Sequence, residues 1–138
     1  MRPQALLIPY LLALVGLIVL ANRGELPPLA AAVYKIPYGD WAAHLGLAAV
    51  LSLLAERATG RCVLVLGGLR CPLGAALAAL ALGLEECSQM AIPARVFSAW
   101  DLMATLTGCA LGWILAARQL PKLSPRPQRV APDTKRPA

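Results

Sequence analysis

Two polar residues, Asp40 and His44, stand at the start of an otherwise apolar run of the sequence. They are four residues apart, so on a helix they share one face and lie about 6 Å apart along the axis. A histidine near a carboxylate can perform acid–base chemistry or hydrogen-bond a neighbouring helix. The chain has only 1 histidine and no cysteine close to this pair. We therefore predict no metal ion and no other cofactor.

A second polar group closes the third apolar run. It comprises Glu85, Glu86 and Gln89, and Arg95 follows in the next loop. On a helix, Gln89 shares a face with either acid, so the sequence leaves open which acid points inward. One interpretation is an internal ion pair that fastens the loop to the helices. The other is a site for a lipid headgroup, in which Arg95 contacts phosphate.

A third group opens the last apolar run with Asp101 and Thr105. Asp101 suits the first turn of a helix, where a negative charge is favoured, and it is also a potential partner for the arginine of the preceding loop. Gly108 and Gly112 continue the same stripe at the spacing that lets two helices approach closely. Because a similar small-residue stripe ends at Gly83, we predict that the third and fourth helices pack together.

The overall composition places these residues in a membrane. Of 138 residues, 59% are hydrophobic and only 14% are charged, against norms of about 45–50% and about 25%. An ordinary soluble enzyme of this size is excluded, since it could not cover so much apolar surface. We predict an all-α integral membrane protein, one domain over residues 1–117, with four transmembrane helices at about 5–21, 38–55, 71–92 and 99–117.

Three segments have other interpretations or lie outside the helices. The first run, 5–21, also fits a cleaved signal peptide. Residues 62–69 are too short to span and are expected at the interface or as an extension of a neighbouring helix. Residues 118–138 are basic and rich in proline, which predicts a disordered tail. The net charge of +6 sits largely in this tail and one set of loops, so we expect no nucleic-acid partner.

The positive charges predict the orientation. With four spans, three of the 13 Lys and Arg residues lie on one side, namely Arg23, Lys35 and Arg95, and the other ten lie on the side of both termini. Basic residues favour the cytoplasmic side. Both termini and the tail are therefore predicted in the cytoplasm, where the tail meets anionic lipid. The three polar groups then all lie at the outer face.

Three blocks of the sequence also carry a family resemblance. They are DWAAH at 40–44, ECSQMAIPAR at 86–95 and DLMATLTGCALG at 101–112. In order and spacing they resemble the D-x-x-x-H, E-x-x-Q…P-G-R and D-x-x-x-N-x-x-G-x-x-x-G segments of VanZ-like membrane proteins, over residues 36–116. The chain departs from the family at Trp41 (usually Lys), Ala94 (usually Gly) and Thr105 (commonly Asn or Asp).

The resemblance implies a multi-pass protein of the bacterial plasma membrane. It also implies a role in the cell envelope, since the family is named for low-level resistance to teicoplanin, which acts on the outer side of the membrane. We expect a pocket formed by the polar groups that acts on or with a lipid or a lipid-linked molecule, such as an envelope precursor or glycolipid. Two alternatives stay open: a non-catalytic accessory subunit of a membrane protein complex, and a hydrolase or transferase at the membrane interface.

Overall fold

The computed structural model describes residues 4–93 and 95–119. This part of the chain is mostly helical, and its four longer helices occupy the four apolar runs: α1 (Gln4–Asn22), α3 (Gly39–Ala58), α4 (Leu73–Ser88) and α5 (Ala99–Arg118). A short helix, α2 (Pro28–Val33), lies between α1 and α3. The strands β1 (Val63–Leu66) and β2 (Leu69–Pro72) precede α4, and a 3-10 turn (Gln89–Ala91) follows it. The tail predicted at 118–138 lies outside the described residues beyond Gln119.

Helix α3 is the centre of the bundle and packs against α5, α4 and α1. One apolar core joins the four long helices through Leu14, Ala48, Leu51, Ala78 and Cys109. Small side chains predominate in it, so the helix backbones can approach closely.

Many of the large apolar side chains point away from this core. On α4, Leu77, Leu80 and Leu84 are 50%, 60% and 62% exposed. Only 11% of the apolar stretch of α1 is buried inside the protein. Apolar faces of this kind on a small protein mark a surface that contacts lipid or another protein.

Two helices of the described chain are long and apolar enough to cross a membrane, Ala5–Asn22 and Ala99–Arg118. Helix α3 has 20 residues but carries charged side chains near both ends. Helix α4 has 16 residues, about 24 Å against the roughly 30 Å of a hydrocarbon core. The 3-10 turn that follows adds about 6 Å.

The region before α4 differs from the all-α prediction. Residues 62–69, expected at the interface or within a helix, form most of an antiparallel hairpin in which Leu66 pairs with Leu69. Its turn is Gly67-Gly68, and both glycines have positive φ, as tight hairpin turns require. The helix predicted over 71–92 is shorter than expected at both ends. Cys71 and Pro72 belong to β2, and the backbone tightens to a 3-10 turn after Ser88.

The glycine stripe of α5 contacts α3 rather than α4. A Cβ at Gly108 would overlap the carbonyl oxygen of Leu45, and one at Gly112 would overlap that of Ala49. A Cβ at Gly83 would meet only a leucine methyl at 3.9 Å, an ordinary van der Waals contact. The third and fourth helices, α4 and α5, do pack together as predicted, but the glycine stripe of α5 makes its close approach to the second, α3. The reason is that α3 presents small side chains to the glycines.

A buried carboxylate holds the other end of α4. Glu56, at the end of α3, is only 2% exposed, and its Oε1 accepts a hydrogen bond of 2.7 Å from the backbone N–H of Ala75. Ala75 lies in the first turn of α4, where N–H groups have no partner within the helix. A Cβ at Gly74 would overlap the backbone of Glu56, so the two helix ends are in direct contact.

The variant Glu56→Ala is expected to destabilise the protein by about 2 kcal/mol, because it leaves a buried N–H without an acceptor. The matched control Glu56→Gln keeps an acceptor oxygen and is expected to lose less than about 1 kcal/mol. Thermal unfolding in mild detergent measures both. Equal losses in the two variants would show that the hydrogen bond does not stabilise α4.

Candidate functional site

Residues from three helices meet at one end of the bundle, which we call the polar end: the start of α3, the end of α4 and the start of α5. His44 Nδ1 lies 3.1 Å from Glu86 Oε1 and 3.4 Å from Thr105 Oγ1. Helix α4 runs antiparallel to both α3 and α5, so the start of α3, the end of α4 and the start of α5 lie at the same end of the bundle. The structure thus joins one member of each polar group found in the sequence.

Glu86 is the most deeply placed of these groups, at 1% exposed. Its Oε1 contacts the His44 imidazole without the alignment of a hydrogen bond, and neither carboxyl oxygen has a hydrogen-bond partner among the described residues. A buried acceptor without a donor is costly and is uncommon in folded proteins. His44 is the polar side chain that contacts this buried carboxyl group.

A second set of contacts links α4 to the following loop. Gln89, which is 3% exposed, donates from Nε2 to both carboxylate oxygens of Glu85 at 3.2 Å. Its Oε1 accepts a hydrogen bond of 3.3 Å from Arg95 Nε. The amide therefore stands between an acid and a guanidinium. Of the two acids that the sequence could not separate, Glu86 points into the bundle and Glu85 lies at its partly exposed edge.

A large cleft reaches the polar end from the side of α1. Its volume is about 980 Å³, at the upper end of the range for small-molecule sites. The cleft lies between α1, the 26–38 segment and α3, and most of its lining is apolar, including Leu14, Leu17, Ile18, Leu47 and Val50. Charged and polar lining is confined to a few side chains, among them His44, Glu85, Arg95 and Thr105.

A second cleft of about 900 Å³ holds the two remaining predicted residues, Asp40 and Asp101. Aromatic side chains surround them, namely Tyr34, Tyr38, Trp41 and Trp100. Burial raises the pKa of the Tyr34 phenol, and the positive charge of Arg95 opposes that rise. The backbone N–H of Asp101 donates to Ser98 Oγ at 3.3 Å, which caps α5. Glu86 and Gln89 are not among the lining residues of either cleft.

Three polar residues that hold the bundle together were not predicted from the sequence. Glu56 caps α4, Ser52 Oγ donates a hydrogen bond of 2.7 Å to the Cys109 carbonyl, and Tyr10 Oη donates one of 2.7 Å to the Leu47 carbonyl. The sequence does contain a pattern that indicates Glu56 and Ser52. His44, Ser52 and Glu56 stand at multiples of four residues, so they lie on one face of α3.

Within the described residues, no three His, Cys, Asp or Glu side chains cluster closely enough to hold a metal ion. Comparison of the chain with protein-family models, with curated proteins and with solved structures gives no match.

Proposed function

We propose that this chain is a multi-pass protein of the bacterial plasma membrane that binds a lipid or a lipid-linked molecule at the outer face. Both termini lie in the cytoplasm in this proposal, and α1, α3, α4 and α5 all span the bilayer. The two long apolar helices and the exposed apolar faces of α1 and α4 support the membrane location. Packing of Leu14 and Tyr10 of α1 against α3 supports α1 as a retained helix.

One observation carries the proposal: the 980 Å³ cleft is apolar along its length and becomes charged at the polar end. This is the distribution that a lipid requires, with a hydrocarbon chain along α1 and α3 and a headgroup near Arg95. The resemblance to VanZ-like proteins agrees with a role in the cell envelope. We propose binding without assigning catalysis.

The accessory-subunit alternative is supported by a different contact. The chain of contacts from Glu85 through Gln89 to Arg95 also fastens the loop before α5 to α4. In this second candidate function, the polar end is structural and the exposed apolar faces contact a membrane protein partner. It predicts an unfilled cleft and a partner protein recovered in mild detergent.

A substitution that fills the cleft distinguishes the lipid-binding protein from the accessory subunit. Gly46 lines the cleft, and a Cβ built there meets nothing within 4 Å. Gly46→Phe therefore projects an aromatic ring from an open position into the cleft, and Gly46→Ala is the matched control. Native mass spectrometry of protein released gently from membranes should show bound lipid on the wild type and on Gly46→Ala.

We expect Gly46→Phe to lose at least about nine-tenths of that lipid while remaining folded, since a tenfold loss needs only about 1.4 kcal/mol. Equal lipid on the folded Gly46→Phe and Gly46→Ala variants would contradict binding in this cleft. A bare wild type that brings down one partner protein would favour the accessory subunit.

A further inference from the structure

The polar end of the cleft keeps a negative and a positive charge apart. Glu85 and Arg95 both line the cleft, and an Arg–carboxylate pair commonly forms two parallel hydrogen bonds when it is free to do so. Here the buried Gln89 amide stands between them and bonds to each one. The cleft therefore presents two opposite charges side by side instead of one neutralised pair.

The guanidinium of Arg95 is left with most of its donors. Within the described chain, the hydrogen bond of this side chain leaves from Nε, and the two Nη groups carry four of the five N–H donors. Two such groups form the fork that binds a phosphate oxygen pair. Nε is oriented by Gln89, so the fork is held in place before a ligand arrives.

The carboxylate of Glu85 has acceptor capacity to spare. Its two oxygens share one amide donor at 3.2 Å, whereas a carboxylate can accept at about four sites. It is partly exposed, unlike Glu86. A primary ammonium donates three hydrogen bonds and carries the matching charge, whereas a quaternary ammonium donates none.

We propose that the ligand of this cleft is an aminophospholipid, with its phosphodiester on Arg95, its primary ammonium on Glu85 and one acyl chain in the apolar part of the cleft. The inference rests on the proposed lipid-binding function and specifies its headgroup. Charge complementarity at both positions favours phosphatidylethanolamine over phosphatidylglycerol, which has no cation for Glu85. Hydrogen bonding favours it over phosphatidylcholine, whose cation has no N–H.

The test offers the protein equal amounts of phosphatidylethanolamine, phosphatidylcholine and phosphatidylglycerol in nanodiscs, and native mass spectrometry measures the lipid that stays bound after release. We expect the wild type to retain phosphatidylethanolamine at least about fivefold over each competitor. Glu85→Gln should remove the preference over phosphatidylglycerol, since the amide loses the negative charge that pairs with the ammonium. Arg95→Gln should lower total retained phospholipid about tenfold. Glu25→Gln, at an exposed acid beyond the end of α1, is the control and should match the wild type.

The possible results distinguish the headgroup assignment from the proposed lipid-binding function. Retained lipid without preference for phosphatidylethanolamine, or a preference unchanged in Glu85→Gln, overturns the headgroup assignment and leaves lipid binding intact. No retained lipid in any variant, the wild type included, overturns the proposed function itself.

Discussion

His44→Leu is expected to destabilise the protein by about 3 kcal/mol, because it leaves the buried carboxyl group of Glu86 without its polar neighbour. Glu86 is 1% exposed, and His44 Nδ1 lies 3.1 Å from its Oε1. Removing one partner of a buried pair costs far more than removing both. Thermal unfolding in mild detergent, with circular dichroism at helical wavelengths, measures the loss.

The double variant His44→Leu/Glu86→Leu provides the control. We expect it to recover most of the lost stability, since an apolar pair of similar volume replaces the buried polar pair. If the double variant is no more stable than His44→Leu alone, the two side chains are not energetically coupled and the pair does not hold the polar end together.

Gly108→Leu should prevent stable assembly of the bundle. Any side chain at this position overlaps the Leu45 carbonyl and meets the Ala48 methyl, so α3 and α5 must separate. Over-packing a core typically costs about 1–3 kcal/mol, and a clash with backbone places this variant at or above the top of that range. We expect little monodisperse protein in size-exclusion chromatography after extraction.

Gly16→Leu is the matched control, because a Cβ at Gly16 on α1 meets nothing within 4 Å. It makes the same change in chain entropy and hydrophobicity on another apolar helix. We expect wild-type yield and elution. Gly108→Leu protein that elutes like Gly16→Leu would show that α3 and α5 do not approach as closely as described.

The convergence of polar residues was predictable from sequence. Successive membrane spans run in opposite directions, so the start of the second, the end of the third and the start of the fourth are expected at one face of the membrane. His44, Glu86 and Thr105 are thus expected together from the sequence alone. The sequence could not decide between Glu85 and Glu86, because adjacent residues differ by about 100° around a helix and the rotation of α4 depends on packing.

The helix that packs against the glycine stripe of α5 could not be predicted from the sequence. Alanine and glycine are common in all the apolar runs, so several pairs of helices offer smooth faces. The decisive feature is the face of α3 on which His44, Ala48, Ser52 and Glu56 recur every four residues. Ala48 and Ser52 are fully buried, and their small side chains give Gly108 and Gly112 room to approach α3.

The residue pattern of the hairpin segment indicates β-strands and a turn, but its hydropathy alone does not show this. The segment VLVLGGLRC reads as apolar and too short to span, yet its alternation of β-branched valine and leucine followed by Gly-Gly is a hairpin pattern. The glycine pair supplies the two positive φ angles of the turn. Secondary-structure propensity was the better guide to 63–72, since its backbone groups can pair with each other.

The most direct test of the account locates the lipid. A phosphatidylethanolamine that carries a diazirine in one acyl chain is exchanged into the membrane-embedded protein, photolysed, and mapped by peptide mass spectrometry. We expect cross-links at the cleft, on Leu17 and Ile18 of α1 and on Gly46 and Val50 of α3, and we expect Gly46→Phe to abolish them. Cross-links spread evenly over the exposed leucines of α4, and unchanged in Gly46→Phe, would contradict a lipid-binding cleft.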